Sequence, residues 1–378
     1  MPKEECPLVS TAVNGVPPLR VALPMLTLVP GGMGGSETYA AEVAKQLSRR
    51  PGLDTVVAVG RGAGDFASQS RRHIARRVEG GASTRERVRA QLLAETDPGL
   101  KALVRGADVV HYPVTIPSPR PAGRPWVQTL LDTQHHDLST NFSRAEIAYR
   151  RLRYDTPARR ADAVITISEF CKERIVHHLR VPADRIHVAH LGVDTMEFTP
   201  YRGERENFVL YPARGWPHKN HSRLLEAMAL VRESRPGLRL VLTGGGLDGL
   251  GRLPEWVELK GLVSRGELLD LYRRASCLIF PSTYEGFGLP PLEAMASGCP
   301  VAAAGAGSLP EVCGSAAVLF DPLDPGSIAT GLDEALVRSN ELTTLGLEQV
   351  RTFTWERCAD IHERVYRIVH ERSTSRRR

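Results

Sequence analysis

Short runs of β-branched and apolar residues alternate along the chain with longer stretches whose apolar positions recur every three or four residues. In the first half the strand candidates are residues 19–28, 55–59, 108–112, 126–131, 163–167 and 186–189, with helical periodicity over 36–49 and 168–179. The pattern then starts again, with strands at 208–211, 238–243, 257–259, 277–280, 300–303 and 317–320 and helices at 219–233, 265–275, 289–297 and 325–338. Unbroken apolar runs separated by amphipathic helices are what parallel strands covered on both faces require. Two consecutive doubly wound α/β modules are therefore expected, joined through the polar segment 194–207. The amphipathic stretch 355–369 follows no further strand, so it must pack on structure already formed.

Composition agrees with this reading. A chain of 378 residues holds about two domains, and 42% hydrophobic with 24% charged residues is the balance of a globular protein. Pro, Gly or charge interrupts every apolar run before the ~18 residues a membrane span needs. Lys3, Glu4, Glu5 and Pro7 stand where a secretory leader would carry its apolar core, so a cytoplasmic location is expected. Residues 1–17 and 372–378 show no period and are expected to be loosely ordered, the latter as a basic tail. Cys6, Cys171, Cys277, Cys299, Cys313 and Cys358 are scattered without a CxxC pair; they read as buried thiols, not as a metal cluster or disulfide framework. The net charge is +6, and all of the excess lies in the first half, with 27 basic against 21 acidic residues over 1–200. It is concentrated in 61–89 and 144–160, which read either as solvated helix faces or as a surface for an anionic membrane or nucleic acid. No aromatic residues interleave these arginines as a nucleic-acid platform would need, so nucleic acid is not an expected partner.

Three stretches carry candidate chemistry. Gly31-Gly32-Met33-Gly34-Gly35-Ser36-Glu37 follows the first strand and opens a helix, where bare backbone N–H groups and a helix N-terminus favour an anion such as a diphosphate. It lacks the third glycine of GxGxxG, since Glu37 stands there, and no GK[ST] follows, so neither a dinucleotide fingerprint nor a Walker loop is present. Arg214 and Lys219 lie in YPARGWPHKN, between the first strand of the second module and its helix. There a fork-shaped guanidinium and a point-charge ammonium would suit two phosphates at the carboxyl edge of the sheet. The third is PSTYEGFGLPPLEAMA at 281–296, a glycine-flanked loop leading into a helix that begins with Pro290 and Pro291. Glu285 in the loop and Glu293 in the helix would reach opposite ends of an elongated polar ligand, with the amides of Phe287, Gly288 and Leu289 between them.

This last stretch resembles the E-x7-E motif of retaining glycosyltransferases of the GT-B fold, in the large family 4 that contains many mannosyl- and glucosyltransferases. The resemblance extends over nearly the whole chain: the glycine loop, His136-Asp137, Ser168-Glu169-Phe170, Leu191-Gly192-Val193-Asp194, Arg214 with Lys219, Leu309-Pro310-Glu311 and Phe353-Thr354-Trp355 occur in the family's order. It implies two Rossmann-like domains facing a cleft: an acceptor-side domain over 1–198, a donor-binding domain over 199–352, and a terminal helix over 353–371 that crosses back to the first. It also implies roles. Glu285 would hold donor-sugar hydroxyls, with Gly286, Phe287, Gly288 and Leu289 on sugar and phosphate. Glu293 would bind the ribose, Arg214 and Lys219 the diphosphate, and Gly34 and Gly35 the β-phosphate. His136 would face the transferred sugar, and Leu262 and Val263 would line the base pocket. His136 is chosen over His135 because the family pattern is His followed by Asp; His135 is then a polar loop residue. His111 is a second pocket candidate for which a structural role is the simpler expectation.

The resemblance implies a retaining hexosyltransferase that uses a nucleotide-diphosphate sugar. No Asp-x-Asp occurs in the chain, and two cations with preorganised amides can stabilise a leaving diphosphate, so neither metal nor cofactor is expected. The tract EGFGLPPLEAMASGCPV is most similar to mannosyltransferase members, making GDP-mannose the first donor and a UDP-hexose the second. The alternatives are a nucleotide-sugar epimerase, a phosphorylase, or a non-catalytic sugar-nucleotide-binding subunit. Acceptor recognition is assigned to loops of the first module, over 60–102 and 139–160. Their arginines would meet either an anionic membrane that carries a lipid-linked glycan or an acidic soluble acceptor.

Overall fold

The computed structural model describes residues 17–81, 83–201 and 203–376. Cys6, the segment 1–16 and the last two residues of the basic tail lie outside the described residues. The chain forms two compact units. One comprises Met1–Ile167, Lys172–Ala189 and Trp355–Arg378, the other Ser168–Cys171 and His190–Thr354.

The first unit holds a seven-stranded parallel sheet: β1 (Leu19–Met25), β2 (Leu53–Gly60), β3 (Arg72–Ala75), β4 (Val109–Tyr112), β5 (Trp126–Thr129), β6 (Ala163–Thr166) and β7 (Ile186–Val188), in the order β3-β2-β1-β4-β5-β6-β7. The second holds six parallel strands: β8 (Glu206–Pro212), β9 (Arg239–Thr243), β10 (Val257–Gly261), β11 (Ala275–Phe280), β12 (Val301–Ala304) and β13 (Val318–Phe320), in the order β10-β9-β8-β11-β12-β13. Both chains of strands wind outward from their first member, return, and continue on its other side. The winding reverses between β1 and β4 in one sheet and between β8 and β11 in the other. The central strands are buried on both faces, β11 as Ala275 to Phe280 and β12 as Val301 to Ala304, which is why they read as continuous apolar runs.

The structure departs from the expectations in several places. β3 was not anticipated: its residues Arg72, His73, Ile74 and Ala75 pair only with β2, and an edge strand needs no apolar face. The stretches expected to be acceptor loops contain the helices Thr84–Thr96, Pro98–Gly106, Arg144–Arg150 and Thr156–Arg160. A signal was present at the first of these. Ser83 accepts from the Glu86 N–H while Glu86 accepts from the Ser83 N–H, a capping box. The chain passes from the first unit to the second at Ala189/His190, and returns to the first at Trp355. The terminal helix runs over Trp355–Ser375, so residues 372–375 extend it and are not a tail. The five described cysteines are buried free thiols. No helix among the described residues is long and apolar enough to cross a membrane.

The helix Trp355–Ser375 groups with the first unit through a buried polar chain. The Nδ1–H of His362 donates to the Cys358 carbonyl at 2.8 Å, so its Nε2 is an acceptor and takes the Tyr39 hydroxyl proton at 2.8 Å. Tyr39 in turn accepts from the Thr129 hydroxyl at 2.7 Å. Thr129 accepts from Nε2–H of His111 at 2.8 Å, whose Nδ1 accepts from the Tyr366 hydroxyl at 2.7 Å. Fixing one end fixes every proton, and all five side chains are fully buried. His111 is thus a structural residue. Tyr39→Phe would leave the Thr129 hydroxyl without an acceptor and His362 Nε2 without a donor. We expect a loss of roughly 1–3 kcal/mol, read as the denaturant midpoint of the first unit; an unchanged midpoint would refute the chain. Burial pushes His362 from 6.5 down to about 4. The unfolded chain therefore binds the extra proton between those values, and the contribution, complete above 6.5, is lost as pH falls toward 4. The acid limb of unfolding should be shallower in His362→Gln than in the native protein.

Candidate functional site

In a doubly wound sheet, loops diverge at the carboxyl ends of the two strands where the winding reverses, leaving a crevice. In the second unit these strands are β8 and β11, and each is followed by a segment singled out in the sequence. The turn Pro217–Lys219 after β8 is stitched to the loop after β11. Thr283 N–H and Oγ1 donate to the His218 carbonyl at 2.8 and 3.2 Å, and Asn220 Nδ2 donates to the carbonyls of Pro281 and Pro322 at 3.1 and 2.7 Å. This brings Lys219 Nζ onto the Glu285 carboxylate in a direct ion pair. Both side chains are more than four-fifths buried, at 13% and 14% exposure. Lys219 Nζ also lies 5.5 Å from the centre of the Phe280 ring. The cation expected on phosphate and the carboxylate expected on sugar therefore hold one another.

Arg214, in the same loop, lies with its guanidinium carbon 5.5 Å from the ring centre of half-exposed Trp216. The loops after β8 and β9 are in backbone contact: Gly215 N–H donates to the Gly245 carbonyl at 3.0 Å, and a Cβ on Gly215 would fall 1.9 Å from the Gly246 oxygen. Leu262, in the loop after β10, is 79% exposed and sits beside Gly245, with Val263 next to it. Three successive loops thus converge on the same edge.

Glu293 lies one helical turn into Leu289–Ala296 and is buried. Its Oε2 accepts from the Tyr272 hydroxyl at 2.9 Å and its Oε1 from Arg265 Nη1 at 3.0 Å. Arg265 also grips Glu197 at 2.9 Å through two nitrogens and stacks 4.4 Å over the Phe198 ring. The sequence reading missed Arg265 and Tyr272. They lie in a helix of surface composition, and only the fold turns them toward Glu293. Gly288 caps this helix. Phe287 is buried and its carbonyl accepts from Ser308 Oγ at 2.8 Å, while the Gly286 carbonyl accepts from Ser168 Oγ at 2.8 Å. Glu311 accepts from the N–H groups of Glu169 and Phe170 at 2.9 and 3.2 Å and contacts His190 Nε2 at 2.5 Å. Burial opposes its charge, yet these hydrogen bonds hold the carboxyl below its ordinary range. The motifs at 168–170, 285–293 and 309–311 therefore form one assembly inside the second unit.

In the first unit, Gly34 caps the helix Gly35–Ser48 with φ 56°, a left-handed value that a side chain would strain. Gly31 N–H donates to both oxygens of Glu37 at 2.9 Å. The residue that breaks the dinucleotide fingerprint thus closes the loop on itself. His135 and His136 lie in the short helix Gln134–Asp137 after β5. The expectation of a polar loop residue fails for His135, which is fully buried. Its Nε2 meets Asp155 Oδ1 at 3.0 Å, and His136 Nε2 meets Asp155 Oδ2 at 2.8 Å. Burial pushes the His136 pKa down while Asp155 pulls it back. The ligand-type atoms of His135, His136 and Asp155 fall within 4.8 Å of one another, close enough to hold a metal ion. However, the buried Nδ1 of His135 has no partner, whereas a metal-bound imidazole is normally oriented by a hydrogen bond at its second nitrogen. The donor set fits a hydrogen-bonded triad better.

Two family models match the chain in succession: "Glycosyltransferase Family 4" over residues 33–197 and "Glycosyl transferases group 1" over 194–346. O-antigen chain mannosyltransferase B of Escherichia coli is 32% identical over 234 residues, 55% of this chain and 61% of that protein. MMP alpha-(1->4)-mannosyltransferase of Mycolicibacterium hassiacum is 35% identical over 218 residues, 53% of each chain. The matched part thus spans about half to three-fifths of these curated relatives. Among solved structures, Anabaena HepE in complex with UDP-glucose superposes with a TM-score of 0.68 at 18% identity, covering 94% of this chain and 100% of that one. This likeness shows the GT-B type of fold.

Proposed function

The chain belongs to the glycosyltransferases that join a family 4 domain to a group 1 domain, and from that premise we propose that it is a retaining hexosyltransferase using a nucleotide-diphosphate sugar. The observation that carries the proposal is the Lys219–Glu285 pair across the strand reversal of the second sheet. A diphosphate arriving there draws Lys219 away and frees Glu285 for the hydroxyls of the donor sugar. Arg214 takes the second phosphate, and the amides of Phe287, Gly288 and Leu289 address sugar and phosphate oxygens. Each Glu293 oxygen already accepts one hydrogen bond and keeps a lone pair for a ribose hydroxyl. Leu262 and Val263 offer an apolar face to the base. In the first unit, Gly34 and Gly35 are assigned to the β-phosphate and His136 to the transferred sugar.

The reaction moves the hexose from diphosphate oxygen to acceptor oxygen. The sugar–phosphate bond breaks, the acceptor oxygen enters on the same face, and its proton passes to the departing phosphate. Charge develops on the diphosphate, and preorganised cations and amides stabilise it where it forms. The mannosyltransferase relatives favour mannose, hence GDP-mannose. The UDP-glucose complex of HepE supports a nucleotide-sugar donor and keeps a UDP-hexose as the second choice.

The acceptor is a glycan, a lipid-linked glycan or a small molecule. A lipid surface is favoured by two helices packed through Thr84–Glu146 and Gln91–Tyr149 hydrogen bonds of 2.7 Å each. The helix Thr84–Thr96 exposes Arg85, Val88, Arg89 and Leu92, and Arg144–Arg150 with the π-helical turn after it exposes Arg144, Ala148, Arg151 and Leu152. Leu92 and Leu152 are 65% and 64% exposed. Basic and aliphatic side chains on one face suit peripheral contact with anionic lipid.

Purified protein offered a panel of nucleotide sugars should release GDP from GDP-mannose, or UDP from one UDP-hexose, equally with and without EDTA. Lys219→Ala and Glu285→Gln should each lower turnover by about 100-fold or more, and wild-type rates in both would end the proposal. In co-sedimentation, the protein should pellet with phosphatidylglycerol vesicles at low salt and stay in solution with phosphatidylcholine. Leu92→Ser with Leu152→Ser should weaken that binding, and no pelleting with either lipid would count against a membrane-borne acceptor.

A further inference from the structure

Asp155 ends a π-helical turn, Arg151–Asp155, set between the helices Arg144–Arg150 and Thr156–Arg160. A π-turn inserts one extra residue into a helix and turns the following side chains out of register, an arrangement found mostly at functional sites. Here it places a carboxylate that is 1% exposed between two imidazoles, one on each oxygen, at 3.0 and 2.8 Å. A carboxylate is an acceptor, so both Nε2 atoms carry the protons. The two histidines differ beyond that. His135 is fully buried and its Nδ1 is walled in without a partner. His136 is 15% exposed, and among the described residues its Nδ1 has no partner. The His136 ring is held on its faces as well, stacked on His178 at 4.8 Å and 13° and tilted against His135 at 4.4 Å. His178 is itself tied to Asp137 at 2.8 Å, and Arg174 also donates to that carboxylate.

We propose that Asp155 is a positioning residue that locks His136 in the Nε2–H tautomer, so that the nitrogen offered to a ligand, Nδ1, is a hydrogen-bond acceptor. The consequence is chemical. An Nδ1 lone pair takes a hydrogen bond from a hydroxyl of the sugar or acceptor and gives none to a phosphate oxygen. Burial of the ring favours the neutral imidazole, which keeps that lone pair available at neutral pH. The carboxylate thus decides which substrate group His136 can recognise, and His135 completes the geometry by occupying the second carboxylate oxygen. The identity of the hydroxyl rests on the glycosyltransferase reading; the tautomer does not.

The test separates the two. Long-range 15N–1H spectra of the full chain labelled in histidine, with His136→Gln and His135→Gln to assign the rings, should show His136 at pH 7.5 with a protonated Nε2 and an unprotonated Nδ1. An Nδ1–H tautomer or a doubly protonated ring would overturn the proposal. So would a zinc titration that moved the Nε2 signals of both rings together, because the cluster would then be a metal site. Asp155→Asn should mix the tautomers and lower kcat by at least about tenfold while the donor KM changes less than about twofold, and Asp155→Glu should recover part of the loss. An Asp155→Asn protein with a single unchanged tautomer and full kcat would refute the positioning role. If the native chain transfers no sugar to any acceptor, the function falls, and the spectra still decide the role of Asp155.

Discussion

The reversal of winding between β8 and β11 is the constraint on which the candidate site depends. Neighbouring parallel strands that lead to helices on opposite faces leave their carboxyl ends open between them, and whatever side chains follow those strands must share the gap. Here the followers are an ammonium and a carboxylate, and they form a mostly buried ion pair. Such a pair pays its desolvation only with good geometry, and the geometry comes from the backbone: carbonyls of His218, Pro281 and Pro322 receive the hydrogen bonds that hold the two loops together.

The same economy appears at Glu293, Glu311 and Asp155. Each carboxylate is partly or fully buried, and each has its oxygens occupied by protein donors. None is an unpaired charge waiting in a cavity. A buried acid held this way keeps a fixed orientation. Arg265 and Tyr272 are as much a part of the Glu293 position as the glutamate itself.

The architecture could be read from hydrophobic period because parallel strands buried on both faces have no polar alternation to hide. The central strands announce themselves in that way, while β10 and β13 are part-exposed and were found by their place in the alternation of strands and helices. β3 does not, since Arg72 and Ile74 face solvent at a sheet edge. At 84–89 and 144–160 the arginine runs fit solvated helix faces, and Ser83 with Glu86 spelled a capping box and Asp97-Pro98 a helix start, yet the extent of each helix was not legible. Charge runs are permitted on helix faces, and composition alone does not separate them from loops.

The sequence by itself determined the two α/β modules, the stretches that carry the chemistry and their order, because period, glycine spacing and residue type are local properties. Only the tertiary structure decided which charges meet. Lys219 and Glu285 are 66 residues apart, Arg265 and Glu293 28 apart, and His136 and Asp155 19 apart with a π-turn between. A hydrogen bond depends on ångströms and angles, and these are set by how sheets and helices pack, not by distance along the chain. For the same reason the sequence does not distinguish a buried His135 from a loop residue: burial is a property of the fold, and two adjacent histidines have the same local pattern whether they face water or a carboxylate.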